Sequence, residues 1–339
     1  GLVTYKPTNT RMKNLQVSGK FVSIKNGKEW GLYLNQVEGS LKNSSLFGGF
    51  SYEVQGHPVM KFAVKGTADL EEMYAFMPVP GISSMQGVVQ LDVNFEGASR
   101  NTREFTFDDY QRSTLSGTAV LNDVTVQMEG QRHPFSGLKG NLEFNRSDAT
   151  IRALSGRVGS SNLTLNGSVK NLPAYLFIKD APLHIDAEAS SSQVILHEWL
   201  SDEDSEKPAG QPVKEFHLKL PDLVNVSLNM QIDKLEFNKF RAENIRGRFT
   251  FRNRSLQAES VSMNAFGGSV KLSGIANGKE ETIIRISLDA SLHGIQLNRL
   301  FEECGNFGQK TITHENLNGN VDALITLSMH FTDALKAEL

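Results

Sequence analysis

Apolar and polar residues alternate along most of this chain. Val89, Leu91, Val93 and Phe95 share one parity, and Gln90, Asp92, Asn94 and Glu96 the other. Val226, Leu228, Met230 and Ile232 repeat the pattern, as do Ile284, Ile286, Leu288, Ala290 and Leu292, and the odd positions from Val321 to Phe331. Period two puts successive side chains on opposite faces of a strand, so each segment has one dry and one wet face, as in antiparallel sheet. A doubly wound parallel sheet would need long continuous apolar runs instead. Helical spacing is confined to three stretches: Leu70, Met73, Tyr74 and Met77; Leu196, Trp199 and Leu200; and Leu297, Leu300, Phe301 and Cys304. Asp69 reads as an N-cap of the first, with Pro78 and Gly305 as stops.

These elements recur in a fixed order. A short strand carries Gly39, Gly140 or Gly247; a corner follows at Phe47-Gly48-Gly49, Val158-Gly159 or Phe266-Gly267-Gly268; then a strand ends at Gly56, Gly167 or Gly274, and an alternating strand leads into a helix. The order predicts three related β-rich units, 1–98, 115–207 and 215–339, with linkers at 99–114 and 208–214. One strand is reduced in the first unit. Glycines at a corner admit positive φ or a bulge, so the paired glycines are expected to curl the sheet; ordinary hairpin turns are the alternative.

About fifteen strands at ~4.8 Å spacing and ~20 Å length give a dry face of roughly 1,400 Å². Three ten-residue helices cover only about 450 Å² of it. The expected fold is therefore mainly β: an elongated, curled antiparallel sheet whose spare apolar face is treated in one of three ways. It closes as a flattened barrel or sandwich, packs on further chain, or forms a groove that holds an apolar ligand. Groove-lining candidates are Leu163, Leu165, Leu183, Ile185, Val270, Leu272, Ile284, Ile286 and Leu288. Candidates for helices plugging an edge or end are Leu70, Met73, Tyr74, Leu196, Trp199, Leu200, Leu297, Leu300 and Phe301.

Charge narrows the picture. Among 339 residues, 35 basic and 38 acidic side chains leave a net charge of −3, without the basic excess of a nucleic-acid binder. Arg246, Arg248, Arg252 and Arg254 share parity and form a candidate basic stripe for anionic headgroups or an acidic partner, or simply a solvated face. Cys304, the one cysteine, excludes an intrachain disulfide and reads as a core thiol. The beginning GLVTYKP and ending FTDALKAEL read as cuts into a longer chain. Neither a nucleophile elbow, a P-loop nor a paired-histidine metal motif occurs, so no catalytic, cofactor or metal residue is assigned. Asp108 and Asp109, and the Asp202, Glu203, Asp204 cluster, read as solvated loop charge. A carbohydrate-binding protein would need aromatics or facing carboxylates on the polar face, and the alternation places few there.

The segments LSGTAVLNDVTVQ, LKGNLEFNRSDATIRALSGRVGSSNLTLNGSVKNL and AENIRGRFTFRNRSLQAESVSMNAFGGSVKLSGIANG resemble the AsmA-like family of bacterial envelope proteins, including its TamB-type relatives. SLHGIQLNRLFEE is similar to a recurrent family segment. The resemblance covers most of Gly117 to Phe331, and more weakly Val17 to Gly97. It implies a periplasmic body anchored to the inner membrane, and an apolar β-groove that binds or conducts phospholipid for outer-membrane biogenesis without catalysis. The alternative is a closed β scaffold that binds an outer-membrane protein precursor or other envelope partner through a strand edge.

Overall fold

The computed structural model describes residues 3–5, 10–24, 27–76, 78–100, 104–200, 223–278, 283–332 and 337–338. Its period-two segments form β1 (Val3–Tyr5), β2 (Thr10–Ile24), β3 (Glu29–Ser40), β4 (Ser45–Gln55), β5 (His57–Asp69), β6 (Ile82–Ala98), β7 (Thr114–Met128), β8 (Phe135–Asn145), β9 (Asp148–Val158) and β10 (Ser161–Lys170). They continue as β11 (Leu183–Ser191), β12 (Val194–Ile195), β13 (Val224–Phe237), β14 (Phe240–Arg252), β15 (Ser255–Ala265), β16 (Gly268–Asn277), β17 (Ile283–Gln296), β18 (Asn320–Thr332) and β19 (Ala337–Glu338). Successive strands pair antiparallel from β2 to β8 and from β13 to β18. The two-residue β12 instead runs parallel to β13. The protein is thus mainly β, an open antiparallel sheet with a few short helices.

The described helices are α1 (Leu70–Phe76), α2 (Phe107–Gln111), α3 (Leu172–Phe177), α4 (His197–Leu200) and α5 (Leu297–Glu303). α1, α4 and α5 match the predicted amphipathic stretches, and Asp69 caps α1 by accepting from the Glu71 and Glu72 amides. α2 lies within the segment expected to be a linker, which is a correction. Thr106 and Asp109 form a capping box there, and Asp109 and Tyr110 are buried. α3 was not expected either; Pro173 sits in its first turn. The 208–214 linker and the Asp202, Glu203, Asp204 cluster lie outside the described residues.

The chain divides into two compact units rather than three. Unit 1 comprises Gly1–Glu129, Phe135–Gly156 and Asn166–His184, and unit 2 comprises Gly130–Pro134, Arg157–Leu165 and Ile185–Leu339. In unit 1 one core gathers Val89, Ala119 and Val124, with Leu70 of α1 packed on it. A second gathers Phe95, Tyr110, Leu115, Ala174 and Ala181, so α2 and α3 roof this part of the sheet. In unit 2, Ile232, Ile245, Val261, Val270, Leu292 and the fully buried Ile295 form the core, against which Trp199 and Leu300 pack.

The corners require a second correction. Gly48 and Gly49 are not at a corner; they lie inside β4, opposite Val64 and Ala63. Gly159 and Gly267 do sit in hairpin turns, with φ of +57° and +78°. Their lack of a side chain makes room for α4 at Gly159 and for the end of β17 at Gly267. A Cβ at Gly159 would fall 2.6 Å from the Glu198 carboxylate, and one at Gly267 would fall 2.5 Å from the Gln296 amide. Local bending comes instead from bulges. β15 slips against β16 between Ala258 and Val261, with Ser260 at φ 49°, and β3 slips against β4 between Leu34 and Val37. A bulge adds one residue to a strand and sharpens its twist.

Two turns are clasped by the same hydrogen-bond pattern. In unit 1, Glu72 of α1 accepts from the Asn43 amide at 2.8 Å, the Ser44 amide at 3.0 Å and the Ser44 hydroxyl at 2.6 Å. The Ser44 hydroxyl in turn accepts from the Asp69 amide. In unit 2, Glu198 of α4 accepts from the Ser160 amide at 2.9 Å and the Ser161 hydroxyl at 3.0 Å, and Ser161 accepts from the Ile195 amide. The clasp equates the β3–β4 turn with the β9–β10 turn. The counterpart of Gly140 and Gly247 is then Gly19 on β2, and the Gly39 anchor belongs one strand later.

Candidate functional site

Direct cross-strand partners share a face, so the registers trace the apolar surface of unit 2 residue by residue. One row runs Val226, Phe251, Leu256, Ala276, Ile286, Met329 across β13 to β18. The next runs Leu228, Phe249, Ala258, Gly274, Leu288, Leu327. Past the β15 bulge, Val261, Leu272, Ala290 and Ile325 align, and then Met263, Val270, Leu292 and Ala323.

Burial changes sharply along these rows. Val270 and Leu292 are buried, as are Ile232 and Ile245, beneath Trp199 and Leu300. No member of the first two rows is fully buried; Leu256 is 41% exposed and Leu327 38%. Helices therefore cover one end of the apolar face, the next two rows are lined with half-open side chains, and Ile284 in the row after them is buried again. At ~4.8 Å per strand, an uncovered row across β13 to β18 extends ~24 Å.

The nine groove candidates divide accordingly. Leu183, Val270 and Ile284 are buried, whereas Leu163, Leu165, Ile185, Leu272, Ile286 and Leu288 are half-buried. The last two belong to the uncovered rows. Sequence reasoning missed their companions Phe251, Leu256 and Leu327, although the same alternation marks them.

Of the helix candidates, Leu70, Trp199 and Leu300 touch core clusters. Tyr74 donates from its hydroxyl to the Ile82 carbonyl at 2.6 Å, tying α1 to β6. Met73, Leu196, Leu297 and Phe301 are half-buried, with Phe301 edge-on to Phe307. The Leu200 side chain lies outside the described residues.

Arg246, Arg248 and Arg252 are exposed on the polar face of β14, where Arg248 donates to the Ser227 hydroxyl at 3.2 Å. Arg254 does not continue the stripe: it occupies the β14–β15 turn at φ 58°. A turn residue with positive φ abandons the strand parity that the sequence spacing assumed.

The solvated reading of Asp109 is also corrected. Its side chain is 1% exposed. Burial opposes its charge, but hydrogen bonds from Thr106, Arg100 and Arg112 outweigh that cost and hold its pKa down at about 2. It accepts from Arg112 at 2.7 Å and from the Thr106 hydroxyl at 2.8 Å, which makes it a structural anchor of α2. Cys304 is half-buried, and burial together with Glu303 raises its thiol pKa.

Among the described residues no cluster of His, Cys, Asp or Glu is arranged to hold a metal ion, and no helix is long and apolar enough to cross a membrane. Comparisons with family models, with curated proteins and with solved structures return no match to this chain.

Proposed function

We propose that the chain binds acyl lipid on the uncovered apolar rows of its sheet and serves, without catalysis, in phospholipid movement toward an outer membrane. The observation that carries this reading is the pair of apolar rows spanning β13 to β18 beyond the helix roof. Their ~24 Å exceeds the ~15 Å depth of one leaflet's hydrocarbon, half of a bilayer core. Each methylene leaving water contributes ~0.8 kcal/mol, so a chain laid along a row gains from every strand it crosses. The AsmA-like sequence pattern adds the setting: a periplasmic protein held at the inner membrane by a segment outside the present sequence.

Organic extraction of the purified chain followed by mass spectrometry tests this. Phospholipid is expected at near-stoichiometric amount, and Leu256→Glu with Leu327→Glu is expected to reduce it severalfold while circular dichroism stays unchanged. Lipid-free parent protein, or equal lipid in the folded double variant, would overturn the reading.

One observation favours a second reading, strand addition by an envelope partner such as an outer-membrane protein precursor. Among the described residues β19 pairs with β18 only at His330 and Phe331, and Leu324 on β18 is 86% exposed. An open edge of this kind accepts an extended peptide through main-chain hydrogen bonds. Lipid-free protein that binds such a peptide, and loses it on Ile325→Pro, would favour this reading.

A further inference from the structure

A concavity in each unit combines polar side chains with members of the apolar face, among them Phe62 and Phe95 in unit 1 and Leu272, Ala290 and Ile325 in unit 2. In unit 1 it measures about 500 Å³ and lies over β3 to β7. Its wall is a row of directly opposed residues, Tyr33, Ser51, Lys61 and Glu96, the last two ion-paired at 2.9 Å. The adjacent row is Gly49, Ala63 and Asn94, whose short side chains keep the floor low. A further ion pair, Lys65 with Asp92 at 2.9 Å, stands in the row beyond.

In unit 2 the concavity measures about 740 Å³ over β15 to β18. Ser262, Lys271 and Ser291 form one row and Ser273, Asp289 and Thr326 the next, with Thr326 donating to Asp289 at 2.7 Å. Each concavity also includes a residue of the bulge in its first strand, Asn35 in β3 and Ser260 in β15. By the clasped-turn alignment β3 and β15 hold the same place in the repeat. The same local bend has produced the same kind of hollow twice.

We propose that these two hollows bind neutral saccharide chains, although the alternation led to the expectation of few suitable aromatics or carboxylates on the polar face. Each contains one lysine, one carboxylate and several hydroxyl or amide groups, so donors and acceptors are both present and the net charge is zero. An anionic headgroup would meet the carboxylate, a cation would meet the lysine, and an acyl chain would desolvate both without replacing their hydrogen bonds. A sugar ring satisfies both kinds of group through its hydroxyls. Tyr33 in unit 1, whose ring has Lys20 Nζ 5.1 Å from its centre, and the exposed Leu324 in unit 2 supply the apolar edge against which a ring's C–H face packs.

This inference does not rest on the lipid reading, and the two fail separately. Isothermal titration of the full chain with chitotriose and with maltotriose is the test. Saturable binding of at least one is expected. It should weaken about tenfold or more, ~1.4 kcal/mol, in the doubly filled variant Ser51→Trp with Ser273→Trp. Lys61→Gln with Glu96→Gln and Asp289→Asn, which keeps the shape, should weaken it as well. Leu256→Glu with Leu327→Glu should leave it unchanged. The proposal is overturned if neither trisaccharide binds, or if binding survives undiminished in a filled variant that circular dichroism shows to be folded.

Discussion

Glu72 and Glu198 each gather hydrogen-bond donors of a hairpin turn and tie that turn to a helix. Removing the carboxylate strands amides and a serine hydroxyl together, and a buried donor left without a partner costs about 1–3 kcal/mol. Glu72→Ala and Glu198→Ala are each expected to destabilise by that amount in urea denaturation, with Ser161→Ala costing less. Asp109 sets a pH dependence. Its folded pKa, about 2, lies below the ordinary aspartate value of ~4, so its contribution is present above ~4 and is lost as pH falls toward ~2. Acid titration followed by circular dichroism should show Asp109→Asn less stable at neutral pH, with a flatter profile across that window. Tyr110 presents the opposite case. Its hydroxyl is buried with no partner among the described residues, and burial, with Asp148 nearby, pushes its pKa up to about 12. Tyr110→Phe is therefore expected to be neutral or to stabilise by up to ~1 kcal/mol in thermal denaturation. The Asp109 site was misread as solvated charge, although Thr106 and Asp109 have the spacing of a capping box. The clasps were not legible, because Ser161 and Glu198 meet across 37 positions and serine spacing carries no sign of it.

At the level of elements, the helices decide which part of the sheet face is dry. Trp199 and Leu300 pack on the unit 2 core from α4 and α5, and truncation of either to alanine is expected to cost ~2–5 kcal/mol in chemical denaturation. Strands were the most legible elements, since period two survives in almost every one of them. Helices α1, α4 and α5 were legible from their spacing. α2 and α3 were missed: α2 falls in a segment read as a linker, and the capping box and Pro173 are the signals that announce them. The corner glycines were located but misread: a glycine pair looks alike in a turn and inside a strand, and only pairing distinguishes Gly48 from Gly267. The bulge at Ser260 and the positive φ of the non-glycine residue Ala153 left no mark in the composition.

At the level of the whole molecule, the sequence order misplaced the Gly39 anchor and the Gly48–Gly49 corner, and the division into compact units was not legible. β9, β10 and β11 each give residues to both units, so contact density does not follow the sequence repeat. Because the described cores are separate, Ile295→Ala is expected to lower amide-exchange protection in β13–β18 more than in β2–β7. The uncovered apolar rows were foreseen as a surplus of area, and the registers convert that surplus into particular side chains. The order of pairing has one more consequence. From β2 to β8, and again from β13 to β18, every strand meets the strand synthesised next to it. Loop closure between such neighbours is brief and inexpensive in entropy. A polypeptide of this design can add one hairpin at a time as it leaves a ribosome or a translocation pore, and it never waits for a distant segment before hiding its newest backbone amides.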